Sequence, residues 1–286
     1  MRLRSIGAAV AAAVGLTGCG VGQGTGVDST EDLIKAIALA QTEYLLLDLS
    51  TGGITTTTTV SDLGTNPSYR DQVMVFKAID EGLAVQGSAP SDFGHQADEP
   101  AGATTIPRFY IGVFEVTQAQ WTRLAGSGST PWASVTPASI TTTDPVCAAN
   151  GVSWTLTQSV LGTATGRLGH GLALPSELQW ERACRGGLTA TFAWGESRDE
   201  TVVGGFARLA ETTDGQTGPF PVGQLGANGY GLYDVHGNVA ELTSAGVVRG
   251  GSWRDSLSQA RCANRNTGVD QQTAHGLVGL RLVLTP

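Results

Sequence analysis

Thiols are the side chains in this sequence with the most distinctive chemistry. Beyond Cys19, the chain contains Cys147, Cys184 and Cys262. A thiolate can act as a nucleophile, hold a soft metal ion or pair in a disulfide. No two of these cysteines have the C-x-x-C spacing of a zinc or redox site, so a metal cluster is not expected. Three is an odd number, so in an oxidising compartment at most one disulfide forms among them.

The histidines and acidic residues do not form a recognisable catalytic set. The four histidines are His95, His170, His236 and His275. They lack the spacing of metal ligands, so each is expected on the surface or in a turn. The adjacent Asp98 and Glu99 are expected in a solvated loop, because no partner for acid–base chemistry is identifiable. A Ser-His-Asp arrangement is not apparent in the sequence. Function therefore has to be sought in longer patterns.

The first 30 residues have the pattern of an export signal followed by a tether. Two arginines precede an apolar stretch that is too short to span a bilayer, and "LTGC" at residues 16–19 resembles a bacterial lipobox. Residues 1–18 are expected to be removed, leaving Cys19 lipidated and residues 19–30 as a flexible tether. Gly20 favours the outer membrane as the location. An ordinary signal peptide with an incidental cysteine is the alternative.

The composition excludes some partners and suggests a fold rich in turns. The formal net charge of −8 makes the chain a poor partner for nucleic acid or anionic lipid. Contact with a membrane is therefore expected only through the lipid anchor. The chain has 40 glycines among 286 residues, about twice the average frequency. This frequency predicts many turns and close backbone approaches, with little regular helix.

Residues 31–70 are expected to form an N-terminal extension packed on a main domain of residues 71–286. A short helix begins the extension. Two strands follow and meet at Gly52-Gly53. The second strand contains a run of threonines, whose β-branched side chains favour an edge strand.

Two helices are predicted within the main domain. The first begins at Thr117 and ends at Gly126. The second is capped by Ser176 and ends at Gly186-Gly187. Hydroxyl side chains satisfy the free N–H groups at a helix start, and glycine readily adopts the left-handed conformation that ends a helix.

Nine short motifs follow one another between Met74 and Leu284. In chain order they are "MVFKAIDEG", "GHQADEP", "FYIGVFEVTQAQW", "DPVCAANGVSW", "LALPSELQWERACRGG", "FAWGE", "GPFPVGQLGANGYGLYDVHGNVAEL", "VRGGSW" and "GLRLVL". This ordered set resembles the formylglycine-generating enzyme (sulfatase-modifying factor) family, and the order is far more specific than any one motif. The resemblance implies an α+β fold: a compact, loop-rich variant of the C-type lectin fold with low secondary-structure content.

The resemblance also exposes a departure at the family's active site. In the active enzymes, two cysteines that follow the Gly-Gly-Ser-aromatic motif bind copper, and a cysteine of a sulfatase is oxidised. Here Asp255 stands near the first position, and Ser258, Gln259 or Ala260 near the second. Thiolates are the ligands soft enough to hold Cu(I), so oxidase activity and copper are not expected. A divergent oxidase or sulfatase-maturation factor is the alternative.

Two structural features are implied by the same family. Cys184 and Cys262 match structural cysteines, and either a Cys184–Cys262 or a Cys147–Cys184 bridge is compatible with the sequence. The turn "HGNVAE" corresponds to a calcium site, with Asn238 and Glu241 as side-chain ligands. Hard oxygen donors suit Ca²⁺, so a structural calcium ion is expected. Ala240 stands where the family has a tryptophan.

One branch with this fold consists of variable proteins that retroelements diversify, and several of them are surface lipoproteins. Their changeable residues follow the Gly-Gly-Ser-Trp motif, which places the corresponding window here at residues 254–278. Small polar loop residues offer adaptable hydrogen bonds for recognition. The residues expected to bind a ligand are Arg254, Asp255, Ser256, Leu257, Gln259, Asn264, Asn266, Thr267, Val269, Asp270, Gln271, Gln272, Thr273 and His275.

The resulting prediction is a lipid-anchored protein that displays a recognition face to a protein or glycan ligand at the cell surface. Within the window, Ala263 and Arg265 are expected to be framework residues fixed by packing. Two other interpretations stay open at this point. The window is an ordinary exposed loop in one of them. In the other, the chain is a structural lipoprotein of the envelope without a specific ligand.

Overall fold

A computed structural model describes residues 38–126, 128–134 and 144–286. Cys19, the export signal, the tether and most of the helix predicted after residue 31 lie outside these ranges. Eleven strands are present in the described chain: β1 (Tyr44–Asp48), β2 (Ile54–Thr57), β3 (Val73–Ile79), β4 (Gly82–Gln86), β5 (Gly102–Ile106), β6 (Phe109–Gly112), β7 (Gly171–Ala173), β8 (Ala240–Leu242), β9 (Val248–Arg249), β10 (Val278–Gly279) and β11 (Val283–Thr285).

The strands form three sheets. The largest has the order β2-β1-β3-β6-β11-β7, and every neighbouring pair in it is antiparallel. Strands β10, β8 and β9 form a second sheet, in which β10 runs parallel to β8. Strands β4 and β5 form a separate antiparallel pair. Short strands and long connections give the low regular content that the glycine-rich composition predicts.

The hairpin of β1 and β2 joins the N-terminal part of the described chain to the main sheet. Strand β1 pairs with β3 on one side and β2 on the other, so β2 is an edge strand, as the threonine run predicts. Gly52 at the turn has φ +76°, and a Cβ there would come within 2.6 Å of the backbone oxygen of Leu168. Only glycine combines that conformation with that close approach.

Besides the helical residues 38–41, four α-helices lie in the described chain: α1 (Gln118–Ala125), α2 (Trp154–Leu168), α3 (Glu177–Arg185) and α4 (Glu200–Gly204). Helix α1 is capped by Thr117 and α3 by Ser176, each in a reciprocal capping box. Gly126 and Gly186 end these helices in the left-handed conformation. The bounds predicted for both helices are therefore confirmed. Helix caps depend on residues next to one another in the chain, so they can be predicted from the sequence.

The main sheet has hydrophobic side chains packed on both faces. Successive side chains of β3 point to opposite faces of the sheet. On one face, Phe76 belongs to a core cluster with Trp121 of α1 and Leu161 of α2. On the other face, Val75 belongs to a cluster with Trp180 of α3. This period of two is the expected consequence of a pleated strand covered on both sides. In the described chain, no helix combines the length and apolar character needed to cross a membrane.

Buried arginines tie the loops to this scaffold. Arg249, Arg261 and Arg281 are each no more than 1% exposed. Measured between the nearest nitrogen and oxygen atoms, Arg249 pairs with Glu181 at 2.5 Å, Arg261 with Glu99 at 2.6 Å and Arg281 with Glu241 at 2.8 Å. A buried guanidinium needs a carboxylate and further acceptors to offset its lost hydration. Each pair therefore fixes two distant segments in one relative position.

The prediction of a solvated Asp98-Glu99 loop is wrong for Glu99, which is 2% exposed. Both of its oxygens accept hydrogen bonds from Arg261, at 2.8 and 2.6 Å. Burial alone would raise the pKa of Glu99. The hydrogen bonds from Arg261 and Ser88 outweigh that effect and hold the pKa below its ordinary value. The partner lies 162 residues away, so local sequence could not reveal it.

Glu181 is the best residue for testing this scaffold. Its carboxylate accepts from the Gly87 amide at 2.8 Å, from Arg185 at 2.6 Å and from Arg249 at 2.5 Å. Breaking a buried ion pair by removing one partner costs about 3–5 kcal/mol, because the remaining charge is uncompensated. The free energy of unfolding of Glu181→Ala, measured in urea, should therefore fall by that amount.

Asp71→Asn is the matched control, since the side chains of Arg123 and Asp71 are 38% and 46% exposed in their ion pair. An exposed pair contributes less than about 1 kcal/mol. If Glu181→Ala costs no more than this control, Glu181 does not hold the loops together.

Candidate functional site

The loop after β9 begins with a tight double turn. Gly250 and Gly251 have φ of +85° and +69°, and a Cβ on Gly250 would come within 2.9 Å of the Trp180 ring. Asp255 closes the turn, because its Oδ2 accepts from the backbone N–H of Ser252 at 2.8 Å and from its hydroxyl at 2.7 Å. Asp255, which the sequence analysis places near the position expected for a copper cysteine, is thus a carboxylate that already has intramolecular hydrogen bonds.

Two arginines hold the segment that follows. Arg249 donates to the backbone oxygens of Cys262 and Ala263, each at 3.1 Å. Arg265 donates to both oxygens of Glu177 in α3, at 2.6 and 2.9 Å. Ala263 is 4% exposed. These contacts match the expectation that Ala263 and Arg265 are framework residues, and they fix the backbone between the residues predicted to bind a ligand.

A polar cleft of about 330 Å³ opens on this loop. It contains four of the residues predicted to bind a ligand and adds two from the loop before β5. The lining residues are Gln96, Asp98, Ala240, Val248, Gly251, Asp255, Gln259, Asn264, Arg265 and Asn266. Two backbone hydrogen bonds between Val248 and Asn266 hold the floor, at 3.0 and 2.9 Å. The fold thus gathers part of the predicted window into one concave surface.

The chemistry of the polar cleft is that of amides and carboxylates. Each amide side chain can both donate and accept hydrogen bonds, and each ionised carboxylate accepts several. Hydrogen bonding to Glu177 is the main reason that the pKa of Arg265 is raised, so its guanidinium stays charged. The negative charge of Glu177 offsets the positive charge of Arg265. The carboxylates of Asp98 and Asp255 therefore make the lining of the cleft negatively charged. The lining is suited to polar ligands rich in hydroxyl, amide or amino groups.

The rest of the predicted window does not join the cleft. Gln271 lies elsewhere, where its backbone oxygen accepts from the Thr155 amide at 3.0 Å and its side chain donates to the Ala245 oxygen at 3.3 Å. Asp270 accepts from Gln272 and Thr273 within its own turn. The exposed residues of this second group are Asp270, Gln271, Gln272, Thr273 and His275. The window therefore forms two separate surfaces.

The remaining predicted residues differ in how far they face solvent. Leu257 and Val269 are partly buried and pack against hydrophobic core clusters, so they support the loop. Ser256 is also partly buried, and its hydroxyl lies 2.9 Å from that of Ser258. Arg254 and Thr267 are exposed, outside the lining of the cleft. Sequence position alone does not separate these roles, because they depend on which way an irregular loop turns.

Cys184 and Cys262 form a disulfide with a Cα–Cα distance of 5.8 Å. Of the two pairings compatible with the sequence, the structure therefore has Cys184–Cys262. Cys147 is a buried thiol outside the bridge. The disulfide joins α3 to the loop that lines the polar cleft, so it fixes the cleft relative to the core.

His236 contradicts the expectation of a surface residue, because it is 1% exposed. Its Nε2 accepts from the Ala193 amide at 3.0 Å, and its Nδ1 lies 2.7 Å from the Ala260 oxygen. The ring is therefore neutral, with the proton on Nδ1. Burial lowers its pKa to about 4. Sequence offered no signal for this histidine, because its partners come from three separate segments.

The two side chains predicted to bind calcium are occupied by protein donors. Glu241 accepts from Trp180 at 2.6 Å and pairs with Arg281, whose nearest nitrogen lies at 2.8 Å. The Oδ1 of Asn238 accepts from the Phe220 amide at 2.9 Å. A calcium ion would have to displace Arg281 from Glu241. In this arrangement the two side chains do not fit a calcium site.

Near Glu241 lie two more buried carboxyl groups, those of Glu115 and Asp234, which the sequence analysis missed. Glu115 and Asp234 are buried, at 0% and 5% exposure. Burial is the main cause of the raised pKa of each, and the negative charges of Asp234 and Glu241 raise that of Glu115 further. Asp234 also accepts from the Gly223 amide at 2.6 Å. Burial therefore favours the neutral form of both carboxyl groups, beside the ion pair of Glu241 and Arg281.

Comparison with known proteins shows which family the chain matches. Residues 61–286 match the family described as the Sulfatase-modifying factor enzyme 1-like domain. The chain belongs to this family. A formylglycine-generating enzyme of Mycobacterium tuberculosis is 43% identical over 81 residues, which are 26% of this chain and 27% of the relative. A mouse protein named inactive C-alpha-formylglycine-generating enzyme 2 is 40% identical over 102 residues, 30% of this chain and 33% of the relative.

The fold itself is shared with a solved variable protein. Treponema denticola variable protein 1 superposes with a TM-score of 0.63 and 19% identity, over 75% of this chain and 96% of that protein. This likeness supports the predicted loop-rich α+β fold. The alignments with the two curated relatives span only about a quarter to a third of their length. Membership in the sulfatase-modifying factor family therefore fixes the scaffold and leaves the activity to the site.

His236 should make the protein sensitive to acid. The folded-state pKa is about 4, against 6.5 for an unperturbed histidine. Between these values the unfolded chain binds a proton that the folded chain does not, so the free energy of unfolding falls as the pH falls. The expected loss is about 3 kcal/mol for this fully buried ring. A glutamine cannot titrate, so His236→Gln should lack this part of the pH dependence.

The measurement is urea unfolding of both proteins at about pH 7 and about pH 4.5, with the disulfide intact. The difference between wild type and variant should shrink at the lower pH. Equal pH dependence in the two proteins would rule out a neutral, buried His236.

Proposed function

We propose that this sulfatase-modifying factor family member binds a ligand through its polar cleft and does not oxidise cysteine. The observation that carries the proposal is the identity and setting of Asp255. It stands near the position of the family's first copper cysteine, lines the cleft and accepts two hydrogen bonds from Ser252. A carboxylate in that setting cannot replace a thiolate as a ligand for Cu(I).

The placement of the thiols supports the same proposal. Among the described residues, the cysteines are Cys147, Cys184 and Cys262, and the lining of the polar cleft includes none of them. Cys184 and Cys262 are already joined, and Cys147 is buried. The existence of a relative named as inactive is compatible with loss of oxidation on this scaffold. A divergent oxidase is the second candidate function. The similarity of the chain to formylglycine-generating enzymes favours it, whereas the residues that line the cleft do not.

Ala240 supports the change from catalysis to binding. It lines the cleft at a position where the family resemblance implies a tryptophan. An alanine side chain leaves space that an indole would fill, and the neighbouring Val248 and Gly251 are also small or medium-sized. The volume of about 330 Å³ lies at the lower end of the range for small-ligand sites. We infer that one sugar unit or a short peptide segment occupies it.

The test is binding of the purified chain to a glycan array and to a library of short peptides. Gln259→Ala and Asn264→Ala should each weaken the strongest interaction by about tenfold, because each leaves a ligand group without its hydrogen bond. Gln272→Ala is the matched control. It is an exposed amide of the same window that lies outside the cleft, and it should bind like wild type.

Two outcomes would contradict the proposal. If Gln272→Ala lost as much binding as Gln259→Ala and Asn264→Ala, the recognition surface would not be the cleft. Conversion of a cysteine-containing peptide to formylglycine, in the presence of copper and oxygen, would establish the divergent oxidase instead.

The location and the diversification of the window belong to the same proposal. Cys19 is proposed to carry the lipid anchor, and Cys19→Ser should move the protein from the membrane fraction to the soluble fraction of lysed cells. The exposed residues of 254–278 are proposed to be diversified, in keeping with the variable protein that shares the fold. Sequencing the 3′ end of the gene across strains tests this proposal. Changes concentrated in codons 254–278 would support it, whereas changes spread evenly along the gene would rule out diversification by a retroelement.

A further inference from the structure

A disulfide and a histidine meet in the core beneath the Cys262 loop. Nε2 of His236 lies 3.8 Å from Sγ of Cys184 and 3.9 Å from Sγ of Cys262. The ligand atoms of all three residues lie within 4.8 Å of one another, and all three residues are buried. Two sulfurs and an imidazole nitrogen at this spacing need only a small separation of the sulfurs to surround one metal ion.

The histidine is oriented as a metal ligand would be. Its Nδ1–H donates to the Ala260 oxygen at 2.7 Å, and its Nε2, which faces the sulfurs, accepts from the Ala193 amide at 3.0 Å, so a bound metal ion would take the place of that amide. A carbonyl on the far nitrogen is the usual support of a metal-binding imidazole, because it fixes the tautomer and the ring direction. Trp194 and Phe192 pack edge-to-face against the ring, with centroids 4.7 and 5.9 Å away.

We propose that Cys184, Cys262 and His236 form a redox-gated site for one soft metal ion. In the oxidised protein the sulfurs are bonded to each other and the site is closed. A dithiol reductant supplies two electrons and two protons, the S–S bond breaks, and the reductant becomes a disulfide. The metal ion then displaces the two thiol protons to solvent and binds both thiolates and Nε2 of His236.

The donor set selects a particular ion. Thiolate sulfur and imidazole nitrogen favour soft and borderline ions over Ca²⁺ or Mg²⁺. The group has three ligands among the described residues, so a zinc ion would need a water molecule as its fourth ligand. All three ligands are buried, which favours Cu(I), an ion that three soft ligands can hold without water. The site differs from the copper pair of the family, because Cys184 and Cys262 match structural cysteines and Asp255 occupies the neighbourhood of the first copper cysteine.

A second cavity lies beside the two chain segments that carry the cysteines. The disulfide cavity, of about 300 Å³, is lined in part by Arg185, Thr191, Arg261 and Ala263. Arg185 is the chain neighbour of Cys184, and Arg261 and Ala263 flank Cys262. The amide of Cys262 donates to the Thr191 oxygen at 3.1 Å. The lining includes neither cysteine nor His236, so the cavity lies beside the segments that carry the sulfurs, and these segments have to move locally before a reductant or an ion can enter.

The experiment compares the oxidised full chain with the same chain reduced by dithiothreitol and desalted under nitrogen. Each is given Cu(I) and desalted again, and bound copper is measured by elemental analysis. The reduced protein should retain one copper ion per chain and the oxidised protein none. X-ray absorption should report two sulfur ligands and one nitrogen ligand. The control variants Cys19→Ser and Cys147→Ser should retain the copper, because neither thiol belongs to the site.

His236→Gln separates this site from simple thiol binding. Its affinity for Cu(I), measured against a competing chelator, should fall by more than about tenfold, the scale on which even outer partners of a ligand act. Circular dichroism confirms that the variant is folded. The proposal fails if the reduced chain binds no more copper than the oxidised chain, if either control loses it, or if His236→Gln keeps its affinity. Unfolding on reduction that copper does not reverse would also overturn it.

Discussion

The carboxylate of Glu181 is the point on which the arrangement of the loops depends. It lies in α3, is 1% exposed, and accepts hydrogen bonds from Gly87, Arg185 and Arg249. Arg249 in turn donates to the backbone oxygens of Cys262 and Ala263. One buried negative charge therefore connects a helix, the end of β4 and the loop that carries the polar cleft. A hydrophobic contact could not do this, because it has no direction.

This constraint explains how a chain with so little regular structure keeps a defined surface. Backbone groups in long irregular loops lack the partners that helices and sheets provide, and buried ones must be satisfied individually. Here arginine side chains supply several donors each in a fixed planar geometry. Arg281, for example, donates to the backbone oxygens of Gly112, Val113 and Tyr233 as well as to Glu241. A rigid floor of this kind serves recognition as well as catalysis.

Sequence reasoning succeeded where the determining chemistry is local. Helix α1 is defined by Thr117 and Gly126, which are its own cap residues, and the family motifs fixed the fold. It failed for Glu99 and His236, whose burial depends on segments far away in the chain. The candidate cleft was predicted only in part. The window was predicted as a whole, yet Asp255 and Asn264 reach the cleft while Gln271 does not, because only the three-dimensional path of the loop separates them.

The path of that loop also links the two cavities. Gln259 and Asn264 line the polar cleft, whereas Arg261 and Ala263, between them in the chain, line the disulfide cavity. Cys262 lies in the middle of this segment and is covalently held to α3. The bridge therefore limits how far residues 259–264 can move toward either side. A bond outside the lining of the polar cleft thus restrains the backbone on which Gln259 and Asn264 are carried, so Cys184 and Cys262 affect the binding surface without contacting a ligand.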